Sequence, residues 1–322
     1  MAAGRRATAR AFAALGACFL AAAAPAPPAD LAVPLADGRI LNLWCAGAPP
    51  AAGSGLPTIL LEAGWGADSR AWSSVIGPLA MRHRTCAIDR AGAGRSSPGP
   101  MPRDGRAIAR DLGEALAAAG IAPPYLLVGH SSGGLYVRQF ASDRPREVLG
   151  LVLVDPSMPP PRTGAPPPDH PAAARARLCL EAARRGPIPA SDPALAGCAV
   201  APAERLAAVW EARLSEIETL FSTTADALAH APALPARVPV IILTAGRGHP
   251  GPEAAEAWFA LHRGLAARFP AGEARLVAES GHLMPREAPE AIVRAVDDVL
   301  ARTGAGARVP AGGCRARAGA AA

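Results

Sequence analysis

The sequence predicts an α/β protein built on a doubly wound, mostly parallel sheet. Three observations carry that prediction. Apolar runs with the length and composition of buried strands, such as Tyr125-Leu126-Leu127-Val128 and Val148 to Val154, alternate with stretches such as Ile108 to Ala119, whose apolar residues recur at helical spacing. The alternation is interrupted only once, by a Pro-rich and then helical stretch from Pro156 to about Arg237, after which a strand pattern resumes at Val238. With 322 residues, half of them hydrophobic, the chain can bury one large core and carry an insertion in it.

In chain order, residues 1–24 start basic, with Arg5, Arg6 and Arg10, and continue as the apolar run Ala11 to Ala24 before Ala-Pro-rich sequence. That is the pattern of a cleaved export signal, and the run is too short for a stable membrane span. Leu15-Gly16-Ala17-Cys18 also resembles a bacterial lipobox, which would make Cys18 a lipid anchor; the apolar continuation after Cys18 ranks this second. A hairpin follows, Leu31 to Leu35 and Ile40 to Cys45, turned at Asp37-Gly38. Thr58 to Glu62, Arg84 to Asp89, Tyr125 to Val128 and Val148 to Val154 supply the next strands, the last being the sixth. Within the insertion, Pro171 to Arg185 and Ala203 to Leu228 read as helices. Val238 to Thr244 and Arg275 to Ala278 complete the sheet, and the helix Ala288 to Leu300 closes it. The expected organisation is therefore a core of 31–155 and 238–301, a helical insertion of 156–237, and an Ala-Gly-Arg tail, 302–322, too low in complexity to fold.

Gly129-His130-Ser131-Ser132-Gly133 fits G-x-S-x-G and stands directly between a strand and the helical stretch Leu135 to Ala141. A strand that turns at once into a helix leaves its middle residue, Ser131, exposed on a tight bend. The helix N-terminus then offers unpaired N–H groups to a developing negative charge. This arrangement resembles the nucleophile elbow of the α/β-hydrolase superfamily, and the resemblance extends from about Leu31 to Leu300. Gly64-Trp65-Gly66 after the third strand resembles the family's oxyanion turn, with Ala63 where His is common; the match implies the N–H of Trp65 and that of Ser132 as donors. The alternative is a plain glycine turn in which Trp65 only packs. Asp89 to Ser96 resembles the family's D-R-x-G-x-G-x-S loop, where Asp89 would order the loop.

Among seven histidines, His282 follows the final strand and precedes the final helix, where the family keeps its base. His130 is the variable residue of the elbow, and His83, His170, His230, His249 and His262 fall in loops or on predicted helix surfaces. The acid is where the sequence departs from the commoner pattern. The loop Ala245 to Pro252 has no aspartate, which leaves Asp155, at the end of the strand after the elbow, or Glu253 and Glu256 on a helix. Asp155 is the better placed, since some family members keep the acid there; its alternative role is to order the Pro-rich start of the insertion.

Cys179 and Cys198 bracket a Gly-Pro-rich loop that a bridge would stabilise, and export permits disulfides. In the family, the strand ending at Cys45 lies beside the one holding Cys86, so the resemblance implies a second pair, with two buried thiols as the alternative; Cys314 is left over. No Cys or His pair has zinc spacing and no phosphate loop is present, so neither metal nor cofactor is expected. All 33 basic residues are arginine, and the net charge of +6 comes from the two ends of the chain, so no nucleic-acid partner is expected. The resemblance implies a serine hydrolase acting on a small acyl substrate, an ester first, with lipase, aminopeptidase-like amidase or cofactor-free haloperoxidase chemistry on the same site as alternatives; the leader adds export, and the Ala, Gly, Pro and Arg richness suggests a GC-rich bacterial source. A non-catalytic binding protein of the same fold is the reading from another class. In many members an insertion at this point caps the pocket and selects substrates. The oligomeric state is not legible.

Overall fold

The computed structural model describes residues 27–158, 170–186, 188, 191–198 and 206–305. The expected signal segment, Cys18 and Cys314 lie outside the described residues, as does the tail beyond residue 305. Eight strands form one sheet: β1 (Ala29–Pro34), β2 (Ile40–Ala46), β3 (Thr58–Glu62), β4 (Thr85–Asp89), β5 (Tyr125–His130), β6 (Val148–Val154), β7 (Val240–Ala245) and β8 (Gly272–Val277), in the order β1-β2-β4-β3-β5-β6-β7-β8. β1, β2 and β4 pair antiparallel, and every other pairing is parallel.

Helices cover both faces, which is why the central strands are apolar on both sides. On one face α2 (Gly105–Ala118), α3 (Gly133–Asp143) and the end of α7 (Pro252–Ala266) pack on Leu127, Leu151, Val240 and Ile242. On the other, α1 (Ser73–Ala80), α8 (Met284–Glu287) and α9 (Pro289–Arg302) pack on Leu126, Val128, Val152 and Ile241. Successive residues of β5 thus belong to opposite cores, as a two-residue side-chain period requires. Each fully buried Leu, Ile or Val contributes about 1.5–3 kcal/mol relative to exposure. The Asp104 side chain accepts from the Ala107 N–H and so starts α2, while its row Ile108, Leu112, Ala115 and Leu116 is buried.

Between β6 and β7 lie α4 (Pro171–Arg185), α5 (Ala207–Leu220) and α6 (Thr223–Ala229). The single helix expected over Ala203 to Leu228 is two. Thr219 Oγ1 and Ser222 Oγ bond the carbonyls of Ser215 and Glu218 one turn back, and Ser222 leaves helical geometry at φ −124° and ψ −103°. Two expectations shift modestly: the last strand begins at Gly272 rather than Arg275, and the last helix runs on to Arg302, with Ala305 just beyond it buried. α1, which carries Pro78 internally, was not anticipated from the sequence. Cys45 faces Cys86 across β2 and β4 and is bonded to it; Cys179 is bonded to Cys198, tying α4 to the loop before α5.

Candidate active site

The elbow forms because its glycines allow a close approach. A Cβ at Gly129 would sit 2.6 Å from the Gly133 carbonyl oxygen, and one at Gly133 would sit 2.4 Å from that of Glu62. Between them Ser131 is held at φ 54°, a left-handed conformation uncommon for a serine, by its N–H on the Val154 carbonyl and by its own carbonyl accepting from Gly134 and Ser157. Only the fold holds this strain, so the Ser131 side chain projects above the carboxyl end of β5.

The structure brings Ser131, His282 and Asp155 into one line. His282 Nε2 lies 3.1 Å from Ser131 Oγ and its Nδ1 lies 2.6 Å from Asp155 Oδ2. Because a carboxylate can only accept, Nδ1 carries the proton and Nε2 is free to accept from the serine. The other Asp155 oxygen, Oδ1, accepts from the Ala245 N–H at 3.0 Å and from Trp258 Nε1 at 2.8 Å. Burial alone would raise the Asp155 carboxyl, but the hydrogen bonds from His282, Trp258 and Ala245 outweigh it and hold the carboxyl below its ordinary value. Glu253 and Glu256 lie on the exposed part of α7, and Glu256 pairs with Arg263 there.

His130 and Trp258 take parts the sequence did not announce. His130 is buried against Trp72, and its Nε2 donates to the His282 carbonyl at 2.7 Å, fixing the loop that bears His282. Burial, with His282 beside it, pushes its pKa down to about 4, so the ring is neutral. His262, expected on a helix surface, is instead fully buried between Thr244 Oγ1 and the Pro156 carbonyl, because α7 turns that edge toward β7 and the first residue after Asp155. His83 is also buried, although it lies in a loop.

The turn after β3 reaches over the elbow. A Cβ at Gly64 would lie 3.1 Å from Ser131 Cβ, and among the described residues no backbone hydrogen bond engages the N–H of Trp65 or of Ser132. The Trp65 ring packs as well, with its Nε1 donating to the Arg213 carbonyl of α5 at 2.7 Å. Beneath the turn, Arg90, Glu62 and Glu216 are each at most 3% exposed. Arg90 Nη1 donates to Glu62 Oε1 and to the Ala63 carbonyl, Nη2 to the Gly64 carbonyl and Glu216 Oε2, and Nε to Glu216 Oε1, so all five N–H groups are used. Burial pushes the Glu62 carboxyl up to about 7 against the pull of Arg90. Asp89 accepts from Ser69 N–H, Asn42 Nδ2 and Arg95 N–H, and so orders its own loop.

Above Ser131 opens a cavity of about 680 Å³ with a mostly apolar lining. Part of its lining comes from the inserted segment, through Ala172, Ile217, Leu220 and Phe221. Among the described residues no group of three or more His, Cys, Asp or Glu is placed to hold a metal ion, and no helix is long and apolar enough to cross a membrane. What this arrangement can do chemically is activate a hydroxyl beside an apolar chamber.

Comparison with known proteins agrees with that architecture. The family model described as alpha/beta hydrolase fold matches residues 57–176, a stretch that includes the elbow and stops short of His282. An uncharacterised protein of Bacillus subtilis, YqjL, is 33% identical over 106 residues, covering 33% of this chain and 42% of that protein. RutD of Azorhizobium caulinodans, to which carbamate hydrolase activity is provisionally assigned, is 38% identical over 103 residues, 32% of this chain and 38% of its own. The chain spans well under half the length of these curated relatives. A thermophilic esterase from Thermogutta terrifontis, solved with malate bound, superposes with a TM-score of 0.58 at 21% identity, covering 86% of this chain and 99% of that one; at that identity the likeness concerns the fold.

Proposed function

We propose that this protein, which has the α/β-hydrolase fold, is an exported serine hydrolase that cleaves carboxylic esters or related acyl compounds through an acyl-enzyme on Ser131. The observation that carries the reading is the hydrogen-bonded line from Ser131 Oγ through the His282 ring to Asp155. Ser131 Oγ attacks the acyl carbon while its proton passes to His282 Nε2. Asp155 keeps Nδ1 protonated and stabilises the imidazolium that forms. The former carbonyl oxygen becomes an oxyanion facing the N–H groups of Trp65 and Ser132. Collapse breaks the bond to the leaving group, which takes the proton from His282, and water then repeats the sequence on the acyl-enzyme to release the acid.

The helices between β6 and β7 serve as the cap. Their apolar residues over Ser131 favour an apolar acyl group, of a size bounded by the cavity of about 680 Å³. A serine at the elbow disfavours epoxide and halide displacement, for which an attacking carboxylate is needed. A carbamate or an amide offers the same kind of acyl carbon, so the panel that ranks substrates includes both. Export is supported by the two disulfides together with the basic and then apolar start of residues 1–24.

The test is a fluorophosphonate probe with peptide mapping, followed by hydrolysis of esters, carbamates and amides graded in acyl length. Labelling is expected at Ser131, and Ser131→Ala is expected to lose both labelling and turnover. Turnover that survives unchanged in Ser131→Ala refutes the reading.

A further inference from the structure

We propose that Arg90 is a positioning residue that aims the Trp65 N–H at the reacting carbonyl, and that Glu216 of α5 makes this aim depend on the seating of the cap. The inference rests on the hydrolase reading above and adds a residue pair to it. Gly64 C=O and Trp65 N–H belong to one peptide unit, which is not among the cis bonds of the chain. In a trans unit the two groups point in opposite directions, so whatever grips the oxygen orients the N–H. Arg90 Nη2 grips the Gly64 oxygen at 3.0 Å, and Nη1 grips the preceding carbonyl of Ala63 at 2.8 Å. A cation on the carbonyl oxygen also draws electron density from the amide nitrogen and makes its N–H a stronger donor.

The guanidinium has no freedom of its own. Glu62, at the end of β3, holds Nη1, and both oxygens of Glu216 hold Nε and Nη2 at 3.0 Å each. Glu216 lies 126 residues from Arg90 in sequence, on the cap helix whose Ile217 and Leu220 line the substrate cavity. Arg90 is thus clamped from the core on one edge and from the cap on the other. If α5 shifts, the bidentate pair opens and the grip of Arg90 on the Gly64 carbonyl slackens, leaving the turn's own Ala67 N–H, at 3.2 Å, to hold that oxygen. Substrate held under a seated cap therefore meets a formed oxyanion site, and an unseated cap leaves it slack. A purely structural ion pair would predict loss of stability with no selective effect on the transition state.

The experiment compares Glu216→Gln, Arg90→Lys and the triple variant Glu62→Leu/Arg90→Leu/Glu216→Leu in the full chain. The triple variant is included because replacing a whole buried ionic group by apolar side chains is often neutral, whereas removing one partner is costly, and Arg90 is paired with both glutamates. Lysine keeps the charge but cannot reach two carbonyls and Glu216 together, so Arg90→Lys is not expected to rescue. For the triple variant and Arg90→Lys, kcat is expected to fall about 100-fold, the scale of losing one oxyanion donor, with KM within about threefold. Affinity for a trifluoromethyl ketone, whose adduct with Ser131 is an oxyanion, should fall in parallel. Affinity for an ether of the same shape, which forms no oxyanion, should hold. Glu216→Gln should show the same split with a smaller drop, and it carries the test if the other variants do not fold. A folded variant that keeps kcat within about twofold, or one that loses ether and ketone affinity equally, overturns the inference. Turnover retained in Ser131→Ala would instead refute the hydrolase reading itself.

Discussion

Asp155→Asn is the substitution for which the structure predicts the most specific failure. The two oxygens of Asp155 are not equivalent: among the described residues Oδ1 faces two donors, the Ala245 N–H and Trp258 Nε1, whereas Oδ2 faces only His282 Nδ1. An asparagine must put its carbonyl oxygen where the two donors are, because an NH₂ there would confront both of them. Its NH₂ is then forced toward His282, and Nδ1 has to give up its proton and accept. The proton moves to Nε2, which at 3.1 Å faces Ser131 Oγ and can no longer take the hydroxyl proton. The base is present and correctly placed, but in the wrong tautomer. An inverted tautomer of this kind costs about 10⁴-fold in kcat, or about 5.5 kcal/mol of transition-state stabilisation. The assay is steady-state ester hydrolysis at neutral pH, with Glu253→Gln and Glu256→Gln as controls and near-UV circular dichroism to show that the fold persists. If Asp155→Asn stays within about tenfold of wild type while either glutamine variant collapses, the tautomer argument and the assignment of the acid both fail.

Two further outcomes are expected. Peptide mapping without reduction should find Cys45 linked to Cys86 and Cys179 linked to Cys198; the double variant Cys179→Ser/Cys198→Ser should lose about 2–4 kcal/mol in urea unfolding, and four free thiols would overturn this. Opposed slopes are expected in the pH dependence of stability. Glu62 rises from 4.5 to about 7 on folding, so the native state binds the extra proton and stability falls as pH rises through that window. His130 falls from 6.5 to about 4, so the unfolded chain binds the extra proton and stability rises with pH between those values. Over the shared range the two offset. Glu62→Gln should expose the rising slope and His130→Asn the falling one, each up to about 1.4 kcal/mol per pH unit, read from urea midpoints. Identical profiles in wild type and both variants would contradict the environments described for these groups.

The strand, turn and helix around Ser131 were legible in Tyr125 to Ala141 because most of what shapes them is local. Gly129 is required by Gly133 and Val137, four and eight residues on, and an apolar run of that length is a strand in any two-faced sheet. The same holds for the body of α2, read over Ile108 to Ala119 and observed over Gly105–Ala118, and for the placing of His282 after the last strand. Which carboxylate meets His282 was a different matter. Asp155, Glu253 and Glu256 have the same chemistry, and His282 is 127 residues from Asp155, so the choice waits on how β6 and β7 come to lie side by side in the sheet. Nothing in the sequence around Glu216 marks it out, and only the docking of α5 over the core places it against Arg90. His262 read as a surface residue for the same reason in reverse: helical spacing shows which positions share a face, but not which edge of that face a neighbouring strand will cover. A segment of sequence contains the neighbours that decide its backbone. The partners that decide a buried charge, a tautomer or a hydrogen bond at the carboxyl edge of the sheet come from different strands and helices, as far as 127 residues apart for His282 and Asp155, and they meet only once the strand order has been set.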